Sequence, residues 1–234
     1  MLMWNRSLLK SNAKKALSGK WLMGLAACLI YNIMQSLSIR YNAAVDAAMS
    51  SLSFGNFSFS VLTFVLWIVL ALLVCPVLAV GMHRYFMENR QGRSPIGTIF
   101  SVFRDNFANV ALVQFLVALK VTIGYIIIIP GVIWQYRYAM VGYLMAENPS
   151  MTCSRAMELS RAMMHGEKWN YFVLQLSFIG WGILCVCTFG IGALFLRPYI
   201  EATNAEFYAA MRAKAFSMGV SDENELAGFF TYGE

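Results

Sequence analysis

Catalytic and metal-binding signatures are what this chain lacks. It has two histidines in 234 residues, His83 and His165, and neither has a partner at ligand spacing. No HExxH, G-x-S-x-G or P-loop pattern occurs, so no motif points to a zinc site, an activated serine or a phosphate cradle. The cysteines number five: Cys28, Cys75, Cys153, Cys185 and Cys187. The odd count, and the single residue between the last two, speak against a redox or metal centre and for small apolar packing residues. Linkers rich in Pro, Ser or Gly are also missing, which leaves one domain. Charge is thin as well, at 13% of residues against about 25% in soluble domains.

Apolar surface fills the space left. Hydrophobic residues make up 59% of the chain, against roughly 45–50% in a soluble domain. They collect in about six stretches: 21–39, 57–82, 107–129, 131–146, 171–187 and 191–208. Runs of about 20 apolar residues suit the hydrocarbon core of a bilayer. The fourth is short, at about 16 residues or 24 Å, and is either a span with little tilt or a re-entrant segment. The sixth is amphipathic; six spans are expected, or five if that last one lies in the interface. The expected class is therefore all-α: a polytopic transmembrane bundle with an amphipathic N-terminal helix and a cytoplasmic surface helix.

The net charge of +6 is placed by topology rather than by nucleic acid, because the basic residues flank the apolar runs. Fourteen of the 18 Lys and Arg residues fall in the leader, the 83–106 and 147–170 loops and the end of the chain. The positive-inside bias puts those segments, and both termini, in the cytoplasm. Three parts follow: a basic leader (1–20), a membrane domain (21–210) and a mobile cytoplasmic tail (211–234).

The leader carries five basic residues and no acid. Arg6, Lys10 and Lys14 repeat every four residues, which aligns them on one helical face for contact with the membrane surface. The basic front and the alanines at 43, 44, 47 and 48 imitate a signal peptide, but the leader is long and further spans follow, so retention is expected. In the 147–170 loop, Asn148–Pro149–Ser150 signals a turn, Thr152 a helix start and Gly166 its end. Cys153, Ala156, Met157, Ser160, Met163 and Met164 share one side of that helix, so packing is favoured over a docking surface.

Several of these stretches are specific enough to compare. IIIIPGVIWQYRYAMVGYLMAENP, SRAMELSRAMMHGEKWNYFVLQLSFIGW, TFGIGALFLRPYIEATNAEFY and the leader WNRSLLKSNAKKALSGKW resemble an uncharacterised family of bacterial integral membrane proteins, domain of unknown function 975. The resemblance rests on Pro130 and Gly131, Ala156 and Ser160, Gly166 with Lys168 and Trp169, Ser177 to Trp181, Gly190 to Gly192, and Pro198 with Tyr199. Loops 42–56 and 88–98 match weakly, and Lys120 is more polar than the pattern. What the resemblance implies is fold and location in the bacterial cytoplasmic membrane. A more distant likeness to membrane domains fused to glycerophosphodiester phosphodiesterases implies lipid contact.

Lys120, Arg137, Arg197 and Glu201 are ionisable residues that lie inside apolar runs. A cation at the bilayer centre costs at least about 2.5–3.5 kcal/mol, so such residues face protein or water. Glu201 is one turn from Arg197 and within pairing reach. The four are a candidate ligand-binding or structural polar cluster, whose excess of cations suits an anion. Pro76 and Pro198, inside apolar runs, are expected to free the carbonyls of Leu72 and Leu194. The expected protein is non-enzymatic and without cofactor or metal. It binds membrane lipids, anionic ones included, or a protein partner or second copy, and no nucleic acid. The alternative is a small transporter or channel for an anionic solute or lipid.

Overall fold

The computed structural model describes residues 4–50, 73–93, 95–188 and 190–228, which form helices and turns with no strand. Most of the expected span 57–82 lies outside the described residues. The chain opens with α1 (Arg6–Leu17), where the Asn5 side chain accepts the Ser7 N–H at 3.1 Å and caps the first turn. A turn at Ser18–Lys20, with Gly19 at φ 75°, leads into α2 (Trp21–Ser50). The two helices meet at 98°. There follow α3 (Cys75–Arg90), a 3-10 helix η1 (Ile96–Phe103), α4 (Phe107–Tyr125), α5 (Ile129–Arg137), α6 (Val141–Glu147), α7 (Cys153–Met163), α8 (Lys168–Leu176), α9 (Ile179–Cys187) and α10 (Ile191–Ser217).

Hydropathy reads the fourth and fifth apolar runs as single helices, and the structure breaks both. Residues 138–140 part α5 from α6, and residues 177–178 part α8 from α9. Among the described residues, α4 alone is long and apolar enough to cross a membrane, or two elements if the bent α1–α2 pair counts as one span. The helices among the described residues therefore do not by themselves make six spans.

The break between α5 and α6 has a specific patch. The break leaves the Arg137 carbonyl and the Met140 N–H without helical partners, and the Ser160 hydroxyl of α7 serves both. It donates to Arg137 O at 2.9 Å and accepts from Met140 N at 3.3 Å. Ser160 and Met140 are fully buried. This is why α7 docks with Ala156, Met157, Leu159, Ser160 and Met163 inward, against α4, α6 and α10. Its face is core, as its spacing suggests. Thr152 holds the N-cap position without a side-chain bond, and Gly166, at φ 78°, turns the chain beyond it.

The second half of α10 is the axis of the core. Thr203, Phe207, Tyr208, Met211 and Ala215 are buried there, with α1, α2, α3 and α7 packed around. The leader is part of this packing: Leu9, Ala13 and Leu17, one turn apart, bury their side chains where α1 meets α10 and α3. The Asn89 side chain donates to the Ala16 carbonyl at 3.1 Å and fastens the end of α1 to α3. Helix α3 touches η1 so closely that a Cβ on Gly81 would lie 1.9 Å from the Ile99 carbonyl oxygen. Pro76 is the second residue of α3, a helix that directly follows the π-helical residues 73–74. Leu72 lies outside the described residues, and Pro198 stays inside a continuous α10.

The segment expected as a mobile tail starts differently. Residues 211–217 are the last turns of α10, and beyond them Leu226 is buried. Arg155 holds Glu225 at 2.7 Å, and the Arg212 guanidinium donates to the Leu226 carbonyl. Of the described acids in this segment, Glu225 is the one that meets an arginine, and that partner lies 70 residues back in the chain.

The far end of the molecule is the reverse of the core. Ile126, Ile127, Ile128 and Ile129 are 70–79% exposed, and Trp181, Ile183, Leu184 and Phe195 also stand in the open. A helical protein that buries Glu147 completely while exposing four successive isoleucines has sorted its side chains for two different surroundings.

Candidate functional site: a polar spine on one helix face

Arg197, Glu201, Tyr208 and Arg212 are spaced by four, seven and four residues, which puts them on one face of α10 over about 22 Å. At one end Arg197 Nε lies 3.8 Å from Glu201 Oε1, and its guanidinium sits 5.4 Å from the Tyr31 ring of α2. The other carboxylate oxygen of Glu201 faces His83 Nδ1 of α3 at 3.9 Å. The imidazole stacks on Tyr143 of α6, centroids 4.1 Å apart, and Tyr143 stacks on Tyr208 at 5.3 Å. Gly142 allows that approach, since a Cβ there would come within 2.9 Å of the imidazole. The Tyr208 hydroxyl donates to Glu147 Oε2 at 2.5 Å, and Arg212 Nε donates to Glu147 Oε1 at 3.0 Å.

That last pair is the most buried ion pair among the described residues, with side chains 4% and 0% exposed. The Gly228 N–H, at 3.2 Å, gives Glu147 a third donor. Alongside, Arg90 Nε bonds Glu206 at 3.0 Å, and Gln175 donates to Asn204 at 2.9 Å. The spine is thus continuous from Arg197 to Arg212. Two atoms along it, His83 Nδ1 and the Tyr143 hydroxyl, are buried without a hydrogen-bond partner.

The four ions inside apolar runs, whose convergence the sequence left open, occupy three places. Arg197 and Glu201 do pair. Lys120 is an exposed residue whose Nζ lies 3.3 Å from Met157 Sδ of α7. Arg137 ends α5, where its carbonyl takes the Ser160 bond. No ion pair joins Lys120 or Arg137 to Glu201 among the described residues. His83, without a partner at ligand spacing in the sequence, is the residue that completes the acid's surroundings. The signal for it was absent: it stands 118 positions before Glu201, and pairing across that distance is set by packing alone.

A family model described as a protein of unknown function (DUF975) matches residues 42–215. The chain belongs to the DUF975 family. No curated protein and no solved structure matches it. The matched region of this DUF975 protein takes in the whole spine, together with Lys120, Arg137 and Ser160.

Helix α1 lies before that region, and its cations differ from those of the spine. Arg6 and Lys14 are exposed and Lys10 is half-buried. Lys10 Nζ sits 4.5 Å from the Phe178 ring centroid and Lys14 Nζ 5.8 Å from that of Tyr199. Those two rings meet edge to face at 5.6 Å. Among the described residues, none of Arg6, Lys10 and Lys14 has an acidic partner. Burial pushes the Lys10 ammonium below the usual lysine range, and its neighbours Arg6 and Lys14 push it the same way. Among the described residues no group of three or more His, Cys, Asp or Glu side chains is placed to hold a metal.

Proposed function

We propose that this DUF975 protein is a multi-pass helical protein of the bacterial cytoplasmic membrane, with both termini in the cytoplasm. We infer that its role is non-enzymatic and consists of binding anionic lipid at the cytoplasmic face. The observation that carries this reading is the unpaired basic face of α1, held at 98° to α2. A helix lying in the interface and turning sharply into an inserted one takes that shape. Cations left unpaired by protein are matched there by headgroup phosphates. The exposed isoleucines at 126–129 and the paired charges around Glu147 support opposite ends for bilayer and cytoplasm.

The test is native mass spectrometry of the full-length protein released from membranes rich in phosphatidylglycerol. Bound anionic lipid is expected, reduced when Arg6, Lys10 and Lys14 are all changed to Gln. A protein that leaves such membranes with no lipid refutes the reading, and one that leaves with a protein partner redirects it. A reporter fused after Thr231 is expected to be active in the cytoplasm.

The spine supports a second reading, a small transporter for an anionic solute or lipid centred on Arg197 and Glu201. Here Arg197→Gln and Glu201→Gln abolish flux in reconstituted vesicles while the protein still inserts. Unchanged flux in both removes that reading.

A further inference from the structure

A groove of about 360 Å3 runs between α1, α9 and α10, within the range of about 300–1,000 Å3 usual for ligand sites. Its walls are almost wholly apolar: Trp21, Trp181, Leu184, Phe195 and Leu196 among them. It follows α10 from Gly192 to Tyr199, about 10 Å. At the Tyr199 end stands the one charged lining residue, Lys14, with Lys10 one turn before it on α1. Trp181, Leu184 and Phe195 are each more than half exposed, so the groove opens sideways along its length.

We infer that this groove holds an acyl chain of an anionic phospholipid from the cytoplasmic leaflet, with its phosphate held between Lys10 and Lys14. The inference rests on the membrane reading given above. The argument is one of complementarity. An apolar slot with charge at one end fits an amphiphile and neither a polar solute nor a wholly apolar one. Both ammonium groups lie over aromatic rings, lack an acidic partner and are one turn apart, about 5–6 Å between Cβ atoms, which suits an anion seated between them. The lateral opening admits a chain from the bilayer without any movement of the helices. The bend between α1 and α2 sets the cations where the headgroups of that leaflet would run.

The experiment uses the full-length protein in vesicles of equal parts phosphatidylglycerol and phosphatidylcholine, extracted, washed in delipidating detergent and weighed by native mass spectrometry. The wild type is expected to keep one phosphatidylglycerol. Lys14→Gln is expected to lower the occupied fraction at least five-fold. Leu184→Trp, which fills the slot and keeps every cation, is expected to lower it equally. Lys15→Gln is the control, since Lys15 lines a separate polar cleft with Asn12 and Asn89, and it should match the wild type. If Leu184→Trp does not fold, Phe195→Trp fills the same slot. Retention at the wild-type level in both Lys14→Gln and Leu184→Trp overturns the groove while leaving lipid binding standing elsewhere. Loss of all lipid from the wild type overturns both readings. Equal retention of phosphatidylcholine, or a free fatty acid in place of a phospholipid, overturns the assignment of the occupant.

Discussion

Replacing Ser160 by Ala is the sharpest test of how this chain tolerates a broken helix. The change removes one oxygen and leaves the shape of the site nearly intact. What it strands is the Arg137 carbonyl, bonded at 2.9 Å, and the Met140 N–H, bonded at 3.3 Å. A buried backbone group left without a partner costs about 1–3 kcal/mol. The carbonyl belongs to a half-buried residue and the amide bond is long, so each loss falls in the lower half of that range. Together they predict a destabilisation of about 2–4 kcal/mol. Denaturant unfolding in mild detergent reads the difference, with Ser154→Ala as the exposed control on the same helix, expected within about 0.5 kcal/mol of wild type. Amide exchange at Met140 supplies an independent measure and should accelerate. If Ser160→Ala costs less than about 0.5 kcal/mol and Met140 exchange is unchanged, the hydroxyl is not what completes the break.

Arg212→Met should cost about 3–5 kcal/mol by leaving Glu147 charged and buried, and pairing it with Glu147→Leu should recover most of that loss in the same unfolding assay. Gly81→Ala forces a Cβ against the Ile99 carbonyl and should cost about 1–3 kcal/mol, seen as a lowered Tm. Glu225 is held below the usual carboxylate range chiefly by its bond to Arg155. That docking therefore contributes stability above the unfolded carboxylate value and loses it as pH falls through the depressed folded one, so limited proteolysis between residues 218 and 228 should rise in acid and, at neutral pH, in Arg155→Gln. Cleavage that does not change with pH or with that substitution removes the Glu225 tether.

The all-helical class was legible because it depends on composition and spacing, both of which are one-dimensional. The stripe Leu9, Ala13, Leu17 and the inward face of α7 follow from residues three or four apart, and the structure buries both. Hydropathy could not separate α5 from α6, because Tyr138, Ala139 and Met140 are no more polar than their neighbours and no proline or glycine marks the stop. The cause lies in another segment, a serine 20 residues on that offers the backbone an alternative to its helical bonds. The second break is equally silent in apolarity, with Ser177 turning its hydroxyl to the Leu174 carbonyl at 2.5 Å.

The site divides along the same line. That Arg197 and Glu201 would pair was legible from a spacing of four, and Tyr208 and Arg212 extend the same face by arithmetic that the sequence permits. The partners that give this face its chemistry come from α3 and α6, and neither carries a local mark. His83 looks like a residue at the end of an apolar run, and Glu147 like the first acid of a loop; packing turns one into the neighbour of Glu201 and the other into half of the most buried ion pair among the described residues. For Lys120 and Arg137 the sequence left pairing open, and among the described residues neither forms an ion pair. An intramembrane cation invites a partner acid, but Lys120 has a long stem that lays its charge beside a methionine sulfur at the edge of the bundle, and no convergence is needed to explain it. Charge inside an apolar run therefore marks a residue that needs an accommodation, and only the fold says whether that is a partner, a ring face or an exit to the surface. By this criterion the leader cations stand apart from the spine: rings underlie Lys10 and Lys14, no acid among the described residues answers them, and an apolar groove begins beside Lys14.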